Sequence, residues 1–178
     1  MLTESTLFAL VRNCPSLREI KMLGTSIGKN IVKNYGSLMD FGVYPQLKSL
    51  DLAFNSCLRD ENINTFAFIF PNLELLDLSF CNGISEEGIG QVLRRCCKIR
   101  HLNLSGLKSL RMNFKVPTLE VLNLSRSGID DISLNSISKS CSGLLQLDLG
   151  HCFDVSEIGA VIENGNRTLC SPMLCSLL

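Results

Sequence analysis

The sequence has no excess of charge of either sign, because 17 basic residues balance 17 acidic ones. Proteins that bind nucleic acid through its phosphates usually carry a basic excess, so we expect no nucleic-acid partner. Long hydrophobic runs are also absent, although 46% of the 178 residues are hydrophobic. We therefore expect no membrane span. The first residues also lack the basic and apolar regions of a signal peptide.

Motifs of catalysis and of cofactor binding are missing as well. The only two histidines, His101 and His151, are far apart in the sequence. There is no Gly-x-Ser-x-Gly, no phosphate-binding P-loop and no His-Glu-x-x-His zinc motif. The sequence therefore predicts a protein that is not an enzyme, with no catalytic residues, no cofactor and no metal site.

The nine cysteines do not form the pattern of a disulfide framework. Their number is odd, and no Cys-x-x-Cys is present. An odd count without paired spacing argues against both a disulfide scaffold and a zinc site. Free thiols are typical of reducing compartments, so we expect a protein of the cytoplasm, the nucleus or both.

What the sequence has in abundance is one short apolar pattern, repeated every 20 to 30 residues. Two apolar residues flank a polar one, and a further apolar residue stands three positions earlier. Such alternation is typical of a short strand with one buried face. The pattern predicts parallel strands at about 20–22, 50–52, 76–78, 102–104, 122–124 and 147–149.

A helix is predicted after some of these strands. Ser85 is a good N-cap, and Ile89, Val92 and Leu93 follow at helical spacing. The start of the chain aligns with this segment, so Leu7, Leu10 and Val11 are expected to form the buried face of a first helix. Units of strand, turn and helix stack into an α/β solenoid. We expect a curved right-handed superhelix with a parallel concave sheet and convex helices.

Three stretches depart from the regular unit. Residues 25–43 are longer than the usual connection and have a helical apolar face. Residues 107–116 are too few for a helix with its turns, so an extended link is expected there. After residue 165 the pattern fades. The predicted organisation is therefore a repeat domain of five to six units over 1–165, its first unit incomplete, and an irregular C-terminal tail over 166–178.

The full unit reads Cys-x-x-Leu-x-x-Leu-x-Leu-x-x-Cys-x-x-Ile-Ser-Glu, with other apolar residues allowed at several places. Residues 73–86 and 144–157 match it nearly throughout. This unit resembles the cysteine-containing leucine-rich repeats of F-box proteins, particularly the large plant set, over residues 2–162. Within a solenoid, equivalent residues lie at least one repeat apart. We therefore predict that Cys14, Cys96 and Cys141, which share one repeat position, are buried, reduced and unpaired.

The resemblance implies the substrate-recognition part of an SCF-type, cullin-based E3 ubiquitin ligase, acting in ubiquitin-dependent proteasomal protein degradation. In that family the repeats bind the target protein, and an F-box binds the ligase adaptor. No F-box is recognisable in these 178 residues, so adaptor binding would need a segment outside them, and we expect a fragment of a longer protein. The alternative is a free-standing repeat scaffold or regulator that is not part of a ligase.

Candidate partner-binding residues are those that the repeat places on the concave face or at its rim. They comprise strand positions, which form a stripe across neighbouring strands, and the residues at the strand ends. Direct contact with a target and a purely structural role in the repeat both remain open for them. The strand positions are Lys21, Ser49, Asp51, Asp77, His101, Asn103, Asn123 and Asp148, and the strand ends are Phe54, Phe80, Arg126 and His151.

Overall fold

A computed structural model describes residues 2–29, 42–108, 110–111 and 115–156, and the backbone of 168–170. Its strands form one seven-stranded sheet in which spatial order equals chain order and every pairing is parallel. The strands are β1 (Glu19–Lys21), β2 (Ser49–Asp51), β3 (Leu75–Asp77), β4 (His101–Asn103), β5 (Val121–Asn123), β6 (Gln146–Asp148) and β7 (Thr168–Cys170). The helices are α1 (Glu4–Asn13), α2 (Asp60–Ile69), α3 (Glu86–Arg95) and α4 (Asp131–Ser140).

The six predicted strands are confirmed, each beginning one residue earlier than expected. The central residue of every strand from β1 to β6 is buried, and those of β2 and β3 are Leu50 and Leu76. These central residues pair with one another from strand to strand without a register shift. The flanking strand residues therefore point away from the helices, and we call the surface that they form the outer sheet face.

Helices α3 and α4 begin where polar side chains cap free N–H groups. The Ser85 hydroxyl accepts from the Gly88 N–H at 3.3 Å, and the Asp130 carboxylate accepts from the Ser133 N–H at 2.8 Å. In α3 the predicted face of Ile89, Val92 and Leu93 is buried. These buried faces complete the core against the leucines of the strands.

The predicted buried face of α1 is partly wrong. Leu7 and Val11 are buried as expected, but Leu10 is 40% exposed and Phe8 is buried instead. The Phe8 ring packs edge-on against Phe66 of α2, with the ring centroids 6.3 Å apart. The buried face of α1 thus includes Phe8, and Leu10 lies at the solvent edge.

Two of the irregular stretches can be compared with expectation only in part. The helix expected within 25–43 falls mainly on 30–41, outside the described residues. Between β4 and β5 no helix occurs among the residues that can be described there, in agreement with an extended link. Leu110 and Val116 are buried in that link, and the Ser133 hydroxyl of α4 donates to the Leu110 carbonyl at 3.1 Å.

The expectation of an irregular tail after residue 165 is wrong at 168–170. Strand β7 lies there, and Leu169 pairs with Leu147 of β6 in the same register as the other strands. Only the central residue of the pattern is apolar in this copy, since Asn166 and Ser171 stand at the flanking apolar positions. The backbone therefore continues the sheet where the apolar pattern has already faded.

The sequence predicts burial for three equivalent cysteines. It is confirmed for Cys96 and Cys141, and it is wrong for Cys14, which is exposed. The Cys96 thiol lies between two carbonyls of the preceding unit, those of Phe70 at 3.5 Å and Ala67 at 3.7 Å. Cys14 belongs to the first unit of this chain, so no preceding unit of the chain covers it. Their reduced and unpaired state stays a prediction.

Neighbouring units are joined by side chains that donate to carbonyls of the unit before. Asn55 donates to the Met22 carbonyl at 2.7 Å, Cys81 to that of Leu52 at 3.1 Å, and Cys152 to that of Leu124 at 3.0 Å. These bonds satisfy backbone oxygens at the point where each strand ends. None of the helices within the described ranges is long and apolar enough to cross a membrane.

Candidate functional site

The predicted stripe exists on the outer sheet face. The third residues of the strands pair in register across the sheet, so that Asp51 lies between Lys21 and Asp77. The stripe runs on through the equivalent positions of β4, β5 and β6. We name this line the strand-end column, and its members are Lys21, Asp51, Asp77, Asn103, Asn123 and Asp148.

Most members of the strand-end column have a structural role in the turn that follows. In each of the five acidic or amide members, a side-chain oxygen accepts from the backbone N–H two residues later, at 2.8 to 3.1 Å. Such bonds fix the turn at the end of a strand, which explains the choice of Asp or Asn there. The structural interpretation therefore applies to these residues whether or not a partner also contacts them.

The two carboxylates in the middle of the column differ in what their second oxygens contact. Asp77 accepts from Asn103 through its second oxygen, at 2.8 Å, and from the Ser79 hydroxyl through its first. Asp51 accepts only from the Ala53 N–H among the described residues. Partial burial, and secondarily the nearby Asp77 charge, raise the pKa of Asp51. Asp51 therefore has both an open acceptor and a destabilised negative charge.

The residues just beyond the strands share an uncommon backbone conformation. Phe54, Phe80, Arg126 and His151 all have φ between 57° and 61°. The equivalent positions in the other two units are Gly24 and Gly106, also with positive φ. Left-handed backbone favours glycine and is costly for large side chains. We call these six positions the rim column.

Two rim residues form an exposed aromatic pair. The rings of Phe54 and Phe80 are stacked, with centroids 4.8 Å apart and an interplanar angle of 6°. Phe54 is 56% exposed, whereas Phe80 is half-buried. The Phe80 ring lies over Gly106, where an added Cβ would come within 2.5 Å of the ring. The glycine in that unit thus provides the space that the Phe80 ring occupies.

Arg126 and His151 lie together at an open depression further along the rim. It has a volume of about 450 Å³ and is also lined by Lys108, Phe153 and Asp154. The His151 and Phe153 rings are tilted, with centroids 6.3 Å apart. Cationic and aromatic side chains are common anchors in protein interfaces.

Ser49 and His101 occupy the first positions of β2 and β4, with Ser49 half-buried and His101 exposed. Next to this line runs a row of ion pairs that our sequence reasoning missed. Lys48 pairs with Glu74 at 2.9 Å, and Arg100 pairs with Glu120. The signal was available, because these residues all stand two positions before a central strand leucine and alternate in sign. Exposed ion pairs of this kind contribute little to the stability of the fold, so their main effect is on the charge of the surface.

The arrangement offers surfaces for contact with another molecule. No group of three or more histidine, cysteine or acidic side chains within the described ranges is placed to hold a metal ion. The two carboxylates Asp51 and Asp77 serve the turns of the repeat, as shown above. Their proximity follows from the in-register stacking of the units.

A family model for the leucine-rich repeat matches residues 71–90, which span the β3 strand and the first half of α3. No curated protein matches the chain. The matched residues include one of the two stretches that follow the repeat pattern nearly throughout, and the sheet repeats the geometry of this unit on both sides. Stacked repeats present extended surfaces that bind proteins. The chain thus has the fold of an α/β leucine-rich-repeat solenoid, the architecture of a protein-binding module.

Proposed function

We propose that this module binds a target protein across its outer sheet face, the concave side of the solenoid. The observation that carries the proposal is the continuity of that face over the strand-end column and the rim column. Open side chains at the rim, notably Phe54, Arg126 and His151, adopt a costly backbone conformation without contributing to the core. A surface of this kind is better explained by contact with a partner than by folding.

For the biological setting, we propose target recognition for a cullin-based SCF ubiquitin ligase. The support is the cysteine-containing form of the repeat, with Cys96 and Cys141 buried at equivalent places. In such an assembly this chain supplies the target-binding surface, and an F-box outside these 178 residues supplies the adaptor contact. The ligase would act in the cytoplasm or the nucleus.

Site-specific photo-crosslinking tests the binding face. A photoreactive amino acid at Asn123 on the outer sheet face is compared with one at Glu87, exposed on α3. Partner crosslinks are expected from position 123 and not from position 87, with the crosslinked protein identified by mass spectrometry. Equal yields from both positions, or crosslinks only from α3, would contradict binding at the sheet.

The ligase setting needs a separate measurement. The identified target should accumulate when the gene for this chain is silenced, and proteasome inhibition should remove the difference between silenced and control cells. The ligase adaptor should also purify with the protein expressed from its own locus. If the target level does not change and no adaptor is found, the chain acts as a free-standing scaffold or regulator.

A further inference from the structure

We propose that the corner formed by Phe54 and Asp51 is a subsite for one arginine side chain of the protein partner. The guanidinium would stack on the open face of the Phe54 ring and donate to the Asp51 carboxylate. This inference rests on the proposed target-binding function and adds the chemistry of one contact to it.

The first argument is the open face of Phe54. One face of this ring is covered by Phe80 in a parallel stack. A ring that is still 56% exposed must present its other face to solvent. On that side the rim position of the first unit is Gly24, and a Cβ built there would meet nothing within 4 Å. The aromatic stack therefore ends at a space that is open to another planar group.

The second argument is a carboxylate of the same unit, at the end of β2. Asp51 stands three residues before Phe54, and one of its oxygens has no hydrogen bond within the described structure. None of the ion pairs among the described residues involves Asp51 or Asp77. Lys21, the neighbour of Asp51 in the column, is paired with Glu19 at 3.1 Å in its own strand. The two adjacent carboxylates thus leave negative charge for a cation to balance.

Together these features favour arginine over other side chains. A guanidinium is planar, stacks on aromatic rings and donates several hydrogen bonds in one plane. A lysine ammonium can pair with the carboxylate but cannot extend the ring stack. A neutral aromatic side chain could stack on Phe54 but would leave Asp51 without a counter-charge.

The test is a titration followed by NMR, with the whole chain and Nα-acetyl-arginine methylamide as the probe. The amide signals of Ala53, Phe54 and Phe80 are expected to shift and saturate. Nα-acetyl-citrulline methylamide has nearly the same shape without the charge, and it should give no saturable shift. Absence of saturation with the arginine probe, or equal shifts with citrulline, would overturn the subsite.

Two variants and one matched control link the shift to the proposed residues. Asp51→Asn keeps the acceptor for the Ala53 N–H and should weaken binding at least about tenfold, because a charge-assisted bond is lost. Phe54→Asn tolerates the left-handed backbone and should also abolish saturation while the fold is retained. Asp148→Asn is the control, because Asp148 holds the same column position in β6 beside His151.

Binding that survives both Asp51→Asn and Phe54→Asn, or that Asp148→Asn reduces equally, would show a nonspecific cation effect and refute the inference. Failure of the subsite and failure of the proposed function are distinguishable. Crosslinks from position 123 with no arginine binding would reject only the subsite. Arginine binding without crosslinks from that position would reject the broader binding face.

Discussion

At the residue scale, the rim column shows that one backbone position carries very different side chains. Its six members are glycine twice, phenylalanine twice, arginine and histidine, all with positive φ. A left-handed conformation costs a non-glycine residue roughly 1–2 kcal/mol. The four larger side chains therefore reduce the stability of their own units, and folding alone does not explain them.

We predict that Arg126→Gly stabilises the protein. The left-handed cost is removed, and the greater freedom of glycine in the unfolded chain offsets part of the gain, which leaves up to about 1 kcal/mol. Denaturant unfolding followed by circular dichroism measures the difference. The control is Arg94→Gly in α3, which should lose about 1 kcal/mol because glycine disfavours helix. Destabilisation by both variants would show that the rim backbone is not strained.

Cysteine reactivity is predicted to follow burial. Burial raises the pKa of Cys81 to about 11 and that of Cys96 to about 12, so few thiolates exist near neutral pH. Cys14 and Cys97 are exposed. Alkylation of the native protein, mapped by mass spectrometry, should modify these two first, and Cys81 and Cys96 only after denaturant is added. Rapid native modification of Cys96 would contradict its place between the units.

At the element scale, the first residues of α2 and α4 are tied to the next unit. Asp60, the first residue of α2, accepts from the Ser85 N–H at 2.8 Å and from its hydroxyl at 2.5 Å. Asp131, the first residue of α4, makes the same two contacts with Ser156, at 2.9 and 2.7 Å. The acidic first residue of α2 therefore serves both its own helix and the N-cap of α3.

We predict that Gly88→Ala destabilises the protein, although alanine favours helix by about 1 kcal/mol over glycine. A Cβ at Gly88 would lie 2.2 Å from the Asp60 carboxylate, so Asp60 must move and lose its bonds to Ser85. The expected net loss is about 1–2 kcal/mol, since bonds to a charged group each contribute more than neutral ones.

Thermal unfolding of Gly88→Ala alone and together with Asp60→Ser measures this loss. In the Asp60→Ser background the alanine should be neutral or stabilising. Equal effects in the two backgrounds would mean that Asp60 does not contact the site.

The strands and the strand-end column could be predicted from the sequence, because a leucine or isoleucine that recurs in every unit is a strong periodic signal. Sequence reasoning missed β7, where only Leu169 keeps that signal. It also named Phe54 and Phe80 separately without predicting their stacking. That stacking depends on side-chain directions set by φ, and on the space at Gly106, neither of which the apolar pattern encodes.

At the scale of the whole molecule, stability is distributed along the stack. Each inner unit packs against two neighbours, whereas the first unit of the chain packs against one within the chain. The stability of such a stack is close to the sum of unit terms and nearest-neighbour interfaces. Local opening should therefore be easier at the first unit than in the middle of the sheet.

Hydrogen exchange is expected to show this gradient. Backbone amides of β3, β4 and β5 should exchange most slowly, and those of α1 and β1 at least about tenfold faster, a difference of about 1.4 kcal/mol in opening free energy. Native-state exchange followed by mass spectrometry gives the comparison segment by segment. Uniform protection from α1 to β5 would indicate a single cooperative unit without end effects.

The unbroken register of the sheet limits which ligand sequences match it. Neighbouring units are separated by about 4.8 Å, whereas an extended peptide advances about 3.3 Å per residue. A peptide crossing the strands therefore cannot place successive side chains on successive units. Side chains of an extended peptide alternate between its two faces, so only an even number of residues returns a side chain to the same face. Six residues of peptide, about 20 Å, nearly equal four units, about 19 Å. From an arginine at Phe54, the next side chain in phase on that face would therefore be six residues away, near His151, the rim residue four units further along.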